Sequence, residues 1–189
     1  MPHDHSCTGA ECLVCSPPPC GRLGLTPPAL QPSYRHLHSA VDHADRLATF
    51  RDSRGQPVAR WPDRVLPSAT VIIQQGDEIL IHQRRDNGWW GLPGGQQDVG
   101  ETITACAIRE AQEETGFDVV LDYLSSIDSD PTHFGICVYP DGHVVQYCNL
   151  TFVAHVVSGR LRVSPESLWV QWCDAHTLPE PFLPAHRWR

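Results

Sequence analysis

No apolar run in this chain of 189 residues approaches the ~20 residues needed to cross a bilayer. The start, Met1-Pro2-His3-Asp4-His5, lacks both the basic opening and the apolar stretch of a secretory signal. Positive charge is scarce: Lys and Arg together number 14 against 22 Asp and Glu, for a formal net charge of −8. That balance argues against a long nucleic-acid partner, which wants a basic patch. It leaves a small anionic substrate open, because a bound metal reverses the local sign. There is no internal repeat. These absences predict a soluble, cytoplasmic protein without a membrane partner. The eight cysteines then call for a reading other than disulfides, since cytosolic thiols stay largely reduced.

Hydrophobic residues make up 41% of the chain, enough for a core, and the length suits one domain with extra segments. Residues 1–33 stand apart as a Cys/Pro-rich tail, broken by Pro17, Pro18, Pro19, Pro27, Pro28 and Pro32 and without apolar periodicity. Residues 34–64 read as a helical extension and loop, with Leu37, Val41, Ala44, Leu47 and Ala48 at helical spacing. The main domain is expected over 65–189. Its opening run, Ala69-Thr70-Val71-Ile72-Ile73, turns at Gly76-Asp77 into Glu78-Ile79-Leu80-Ile81, a predicted β-hairpin. A turn-rich stretch from Asn87 to Gly95 precedes a helix predicted over Glu101–Thr115, closed by Gly116. Strands are predicted at Phe117–Leu124, His133–Tyr139, Val144–Val157, Leu161–Val163 and Trp169–Trp172. A helical turn is expected at Asp174–Leu178.

On a helical wheel of ~100° per residue, Glu110, Glu113 and Glu114 share about a third of the circumference. Ala105, Ile108 and Ala111 lie on another side, toward a core. Three carboxylates on one face repel one another. Arg109 supplies one counter-charge but points to a different side, so a hard divalent cation such as Mg²⁺ or Mn²⁺ is the natural partner. A few carboxylates plus a substrate phosphate describe a hydrolytic site, where the metal polarises a phosphoryl oxygen and a free carboxylate takes the proton of water. Gly94-Gly95 lets the backbone approach a ligand closely. The alternative is a solvated acidic helix, since Glu is a good helix former.

The spacing decides between the two. Gly95 is followed by five residues and Glu101, then by seven residues and Arg109-Glu110. Ala111, Gln112, Glu113-Glu114, Thr115, Gly116 and Phe117 complete the run. Position for position this resembles the Nudix box, and Gly88-Trp89-Trp90-Gly91-Leu92-Pro93-Gly94-Gly95 resembles the loop that leads into it. The resemblance, from about Val65 to Leu183, implies a Nudix-type α/β/α sandwich around a mixed sheet. It also implies a hydrolase that uses Mg²⁺ or Mn²⁺ on nucleoside diphosphates linked to another moiety. Glu110, Glu113 and Glu114 would be metal ligands, joined by the Gly95 carbonyl. Arg109 and Glu101 would pair to hold the site in shape. A non-catalytic ligand sensor and, further off, an isomerase of the same fold are the competing functions. Both are disfavoured by an intact box.

Other assignments rest on less. Family members commonly carry a Glu three residues before a Trp in the last strand; here Trp169 precedes Trp172, a departure. Glu166, Asp128 and Asp130 are the substitutes, each with surface charge as its alternative. For substrate binding, Arg84 and Arg85 offer guanidinium groups to a phosphate, Gly94 offers backbone, and Trp90, with Trp89, Phe134 and Tyr139, offers a stacking face. Surface pairing and core packing are their alternatives. Pro131 lies near the place where ADP-ribose pyrophosphatases of the family carry a proline. Cys7, Cys12, Cys15 and Cys20 could close a Zn²⁺ site, the alternative being a tail without structure. Cys106, Cys137, Cys148 and Cys173 read as buried small hydrophobes. The partners expected are a small nucleotide-type substrate and, as an option, a second copy in a homodimer.

Overall fold

The computed structural model describes residues 47–187. The tail expected over 1–33, its Zn²⁺ site, and nearly all of the helix expected near Tyr34–Phe50 fall outside these residues.

The alternating runs form a mixed sheet with strand order β3-β2-β1-β7-β5. β1 (Arg64–Gln75) is the central strand, because its alternate residues are apolar on both faces. β1 turns at Gly76 into β2 (Glu78–Arg84), as the hairpin signal predicts. β7 (Val144–Gly159) runs parallel to β1 over ten paired residues, from Arg64↔Val145 to Ile73↔Ala154. β5 (Phe117–Asp128) lies antiparallel to β7, and β8 (Ser167–Asp174) antiparallel to β2. Two short strands arise inside the turn-rich stretch. β3 (Trp90–Gly91) pairs β2, and β4 (Gly94–Gln96) pairs β1 through Ala69↔Gly95 and Thr70↔Gly94. β6 (Ile136–Val138) pairs β7 across the Pro140-Asp141-Gly142 turn.

α1 (Ile103–Thr115) begins after Thr102, whose hydroxyl accepts the Ala105 N–H at 3.1 Å. It ends at Gly116, whose φ of 80° closes a left-handed cap. Its inward residues Cys106, Ala107 and Ala111 are fully buried against Ala69, Val71, Ile73, Leu80, Val119, Phe152, Ala154 and Val170. Small side chains on that face let the helix sit close to the sheet. The opposite face, with Ile72, Ile79 and Ile81, is covered by Leu92, Leu178 and Phe182. The chain then ends its described part in α2 (Pro184–Arg187).

Three predicted elements differ. His133–Tyr139 shortens to Ile136–Val138, because residues 131–134 form a turn in which the His133 N–H bonds Asp130 O at 3.0 Å. Leu161–Val163 is irregular, because the segment arches from β7 past the C-terminus of α1, with the Arg162 N–H bonded to Thr115 O. Asp174–Leu178 is a turn held by the Asp174 carboxylate rather than a helix. Cys106 is buried as expected, whereas Cys137, Cys148 and Cys173 are half-buried. No helix among the described residues is long and apolar enough to cross a membrane.

Candidate active site

β1, β4, α1 and the β7–β8 connection enclose one side of a cleft of about 960 Å³. Its floor is built by glycine. A Cβ added at Gly95 would lie 2.6 Å from Glu110 Cδ, so the absent side chain is the space that the Glu110 carboxylate occupies. A Cβ added at Gly94 would lie 2.8 Å from Thr70 Cα, so β4 can press against β1 only with glycine there. The Gly94 N–H donates to Glu114 Oε2 at 2.8 Å.

Glu114 is the most deeply placed acid of the box, 5% exposed. Burial pushes its carboxyl up to about 8, more than the Gly94 hydrogen bond and nearby Arg84 offset. Burial also raises Glu110, against the pull of Arg109. His82 Nδ1 stands 3.7 Å from Glu114 Oε1, yet burial lowers this histidine to about 4, so the imidazole is neutral and the contact is not an ion pair. His82 Nδ1 instead shares a hydrogen bond of 2.9 Å with Ser167 Oγ, which also accepts from Ser164 Oγ at 3.1 Å.

Arg109 is the hub of the box. Its Nη2 and Nε reach the two oxygens of Glu101 at 2.7 and 3.2 Å, and its Nη1 reaches Glu110 Oε1 at 2.8 Å and Glu113 Oε2 at 3.1 Å. The hydrogen bonds from Arg109 hold the Glu101 carboxyl down at about 2. The expected Glu101–Arg109 pairing is present. The expectation that Arg109 points away from the helix carboxylates is corrected: its long side chain folds back over them. Glu113 is at the rim, with its side chain 57% exposed.

The remaining candidates divide. Arg84 lines the cleft, held in a fork by Asp86 with two contacts of 3.0 Å. Arg85 does not line it. Its guanidinium bonds the carbonyls of Pro165 and Ser167, both at 2.8 Å, because β2 ends at Arg84 and Arg85 begins the turn beyond it. Trp90 is also elsewhere, packed on the Ile81–Leu92–Phe182 cluster with its N–H on Pro181 O. Phe134 and Tyr139 line the cleft; Trp89, Pro131, Asp128 and Asp130 do not. Glu166 does, on the turn that Arg85 grips. Trp169 is 58% exposed on β8.

Sequence reasoning missed Asp52, Arg54, Arg162 and the polar patch Ser68, Thr70 and Asn149, all lining the cleft. Both hydroxyls of that patch donate to Asn149 Oδ1, at 2.9 and 3.0 Å. One signal was available: the chain has no lysine, so every strong cation is a planar arginine fork suited to phosphate.

The sequence profile of the NUDIX domain matches residues 64–188. The chain belongs to the Nudix family. It is 30% identical over 108 residues to the Nudix hydrolase YvcI of Bacillus subtilis, covering 57% of this chain and 65% of that one. It is 30% identical over 112 residues to an ADP-ribose pyrophosphatase of Methanocaldococcus jannaschii, covering 58% and 62%. To the NAD-capped RNA hydrolase NudC of Pseudomonas putida it is 27% identical over 194 aligned positions, covering 90% and 65%. The chain thus spans less than two thirds of the length of these relatives. Among solved structures, a MutT Nudix hydrolase from Burkholderia pseudomallei superposes with a TM-score of 0.52 at 25% identity, over 65% of this chain and 93% of that one.

Proposed function

We propose that the chain is a divalent-metal-dependent hydrolase that cuts a phosphoanhydride bond in a nucleoside diphosphate linked to another moiety. The carrying observation is Glu114, a carboxyl group buried beside Glu110 at Gly94-Gly95, whose burial the Gly94 hydrogen bond and Arg84 do not offset. Among the described residues no three His, Cys, Asp or Glu side chains already stand in ligating arrangement, because Arg109 draws Glu110 and Glu113 to itself. The donor set nonetheless fits a hard cation: oxygen only, partly buried and rich in negative charge. Glu110, Glu114, Glu113 and the Gly95 carbonyl would hold Mg²⁺ or Mn²⁺. Bound there, the ion would neutralise phosphate oxygens and draw electron density from the phosphorus.

The chain's own groups supply the rest. Arg84 presents a guanidinium to a phosphate from the cleft wall. Glu101 locks Arg109, and Arg109 keeps the carboxylates from splaying. Glu166 supplies the acid that Trp169 does not, and takes the proton from the attacking water. Arg85 acts through it as a positioning residue by pinning the turn. Two relatives bear the names ADP-ribose pyrophosphatase and NAD-capped RNA hydrolase, which favours an ADP-containing substrate.

The test is turnover of ADP-ribose, NADH, diadenosine polyphosphates, CDP-choline and nucleoside triphosphates with Mg²⁺ or Mn²⁺. Folded protein that turns over none of them supports the ligand-sensor alternative. Glu166→Gln is expected to lower kcat by roughly 10²-fold or more, as loss of a general base does, with KM little changed. Unchanged kcat would remove Glu166 from the mechanism.

A further inference from the structure

The cleft wall includes a turn that lies before the matched NUDIX domain. Asp52 is 5% exposed, and its Oδ1 accepts the N–H groups of Arg54 at 2.9 Å and Gln56 at 2.8 Å. The turn is fastened to the sheet from both ends. The Ser53 N–H bonds Ile136 O at 2.8 Å, the Arg51 N–H bonds Pro131 O at 3.2 Å, and Phe50 and Val58 bury against Ile136 and Val144. It therefore places Arg54 in the cleft lining, with its half-exposed guanidinium 3.7 Å from Asp52 Oδ2.

Phe134 faces this turn. A Cβ built on Gly55 would lie 3.6 Å from Phe134 Cε1, so the ring rests over the glycine. Gly55 has φ 82°. Phe134 has φ 64°, and it is the one non-glycine residue at positive φ among the described residues. A bulky side chain adopts that conformation only where its surroundings compel it, and such residues gather at ligand clamps. Here the strain turns an aromatic ring into the same cleft that Gly94-Gly95 and Arg84 line, with Tyr139 and Tyr147 beside it, their hydroxyls 2.5 Å apart. Arg54 and Arg84 both line this cleft.

We propose that Phe134 and Arg54 form the nucleobase subsite, the ring stacking on the base and the guanidinium donating to its acceptor atoms. Aromatic stacking tolerates any base and adds a large increment of affinity, while a planar guanidinium matches acceptor pairs. The proposal rests on the hydrolase reading for its substrate class, but its test does not require turnover.

The test is calorimetric binding of ADP and of inorganic pyrophosphate to the full chain, in wild type, Phe134→Leu, Phe134→Tyr and Arg54→Gln. The expected result is a Kd for ADP weaker by roughly tenfold or more in Phe134→Leu. Phe134→Tyr should restore it, and Arg54→Gln should weaken it by a smaller factor. Pyrophosphate, which has no base, should bind all four alike. Where ADP-ribose is turned over, KM should rise in parallel with Kd while kcat stays within about twofold of wild type. Equal ADP affinity in wild type and Phe134→Leu overturns the proposal, as does an equal loss for pyrophosphate. Wild type that binds ADP but turns over no substrate defeats the hydrolase reading and leaves the subsite standing.

Discussion

Replacing Glu114 by Gln tests whether the box holds a buried acid poised for a cation. A glutamate carboxyl ordinarily titrates near 4.5, and burial moves that of Glu114 up to about 8. Below 4.5 the folded and unfolded chains both carry the proton. Between 4.5 and about 8 the folded chain keeps a proton that the unfolded chain has released, so stability falls as pH rises. Above about 8 the stabilising contribution is gone. At about 1.36 kcal/mol per pH unit the whole span is worth on the order of 5 kcal/mol, and about 3 kcal/mol of it is lost by neutral pH. That is a large share of the ~5–15 kcal/mol by which a domain is stable. Gln keeps an oxygen for the Gly94 N–H and has no charge to bury. Urea unfolding in EDTA should therefore find Glu114→Gln close to wild type near pH 5 and several kcal/mol more stable near pH 8. Mg²⁺ should stabilise wild type at the higher pH and leave the variant almost unmoved, while kcat of the variant collapses. If the two proteins show the same pH dependence, the buried-acid argument is refuted.

The two glycines should separate activity from stability. In Gly95→Ala the new Cβ meets the movable end of Glu110, so kcat should drop by roughly 10²-fold with little change in the urea midpoint. In Gly94→Ala it meets the backbone of β1, so unfolding should become easier by about 1–3 kcal/mol; the reverse order would contradict the floor described above. Arg85→Ala removes the grip on Pro165 and Ser167 and should lower kcat without raising KM, whereas Arg84→Ala should raise KM for any phosphoanhydride substrate. Steady-state kinetics distinguish the pair.

The parts legible in the sequence are those whose physics is local. A β-branched run marks β1, the Gly76-Asp77 turn marks the hairpin, and Gly116 marks the end of α1. The box itself is contiguous, and Glu101 and Arg109 meet because Glu101 sits just before the helix cap. Arg84 and Arg85 could not be told apart by composition. Arg84 ends β2 and Arg85 begins the turn after it, and only the position of the 165–167 turn shows which one reaches the cleft. Trp90 failed as a stacking candidate because β3 ties it to Pro181, more than ninety positions later. The Leu161–Val163 strand failed for the same kind of reason: the Arg162 N–H is taken by Thr115 O at the end of α1, far away in sequence.

Arg54 shows the limit most clearly, and also why that limit falls where it does. Nothing in Asp52-Ser53-Arg54-Gly55 distinguishes it from an ordinary polar turn. Its place in the cleft comes from Phe50 and Val58 closing on Ile136 and Val144. A catalytic box has to keep several acids at fixed separations, and a single helix does that cheaply, so its chemistry is written in one short run. A base-recognition surface has to complement a large planar group, which needs walls from separate segments. In the subsite proposed for this chain those walls are a turn before the NUDIX domain and a phenylalanine held at positive φ within it. Specificity built in this way changes by altering surface turns while leaving the helix untouched, so chains with the same box can differ in the nucleotide they accept.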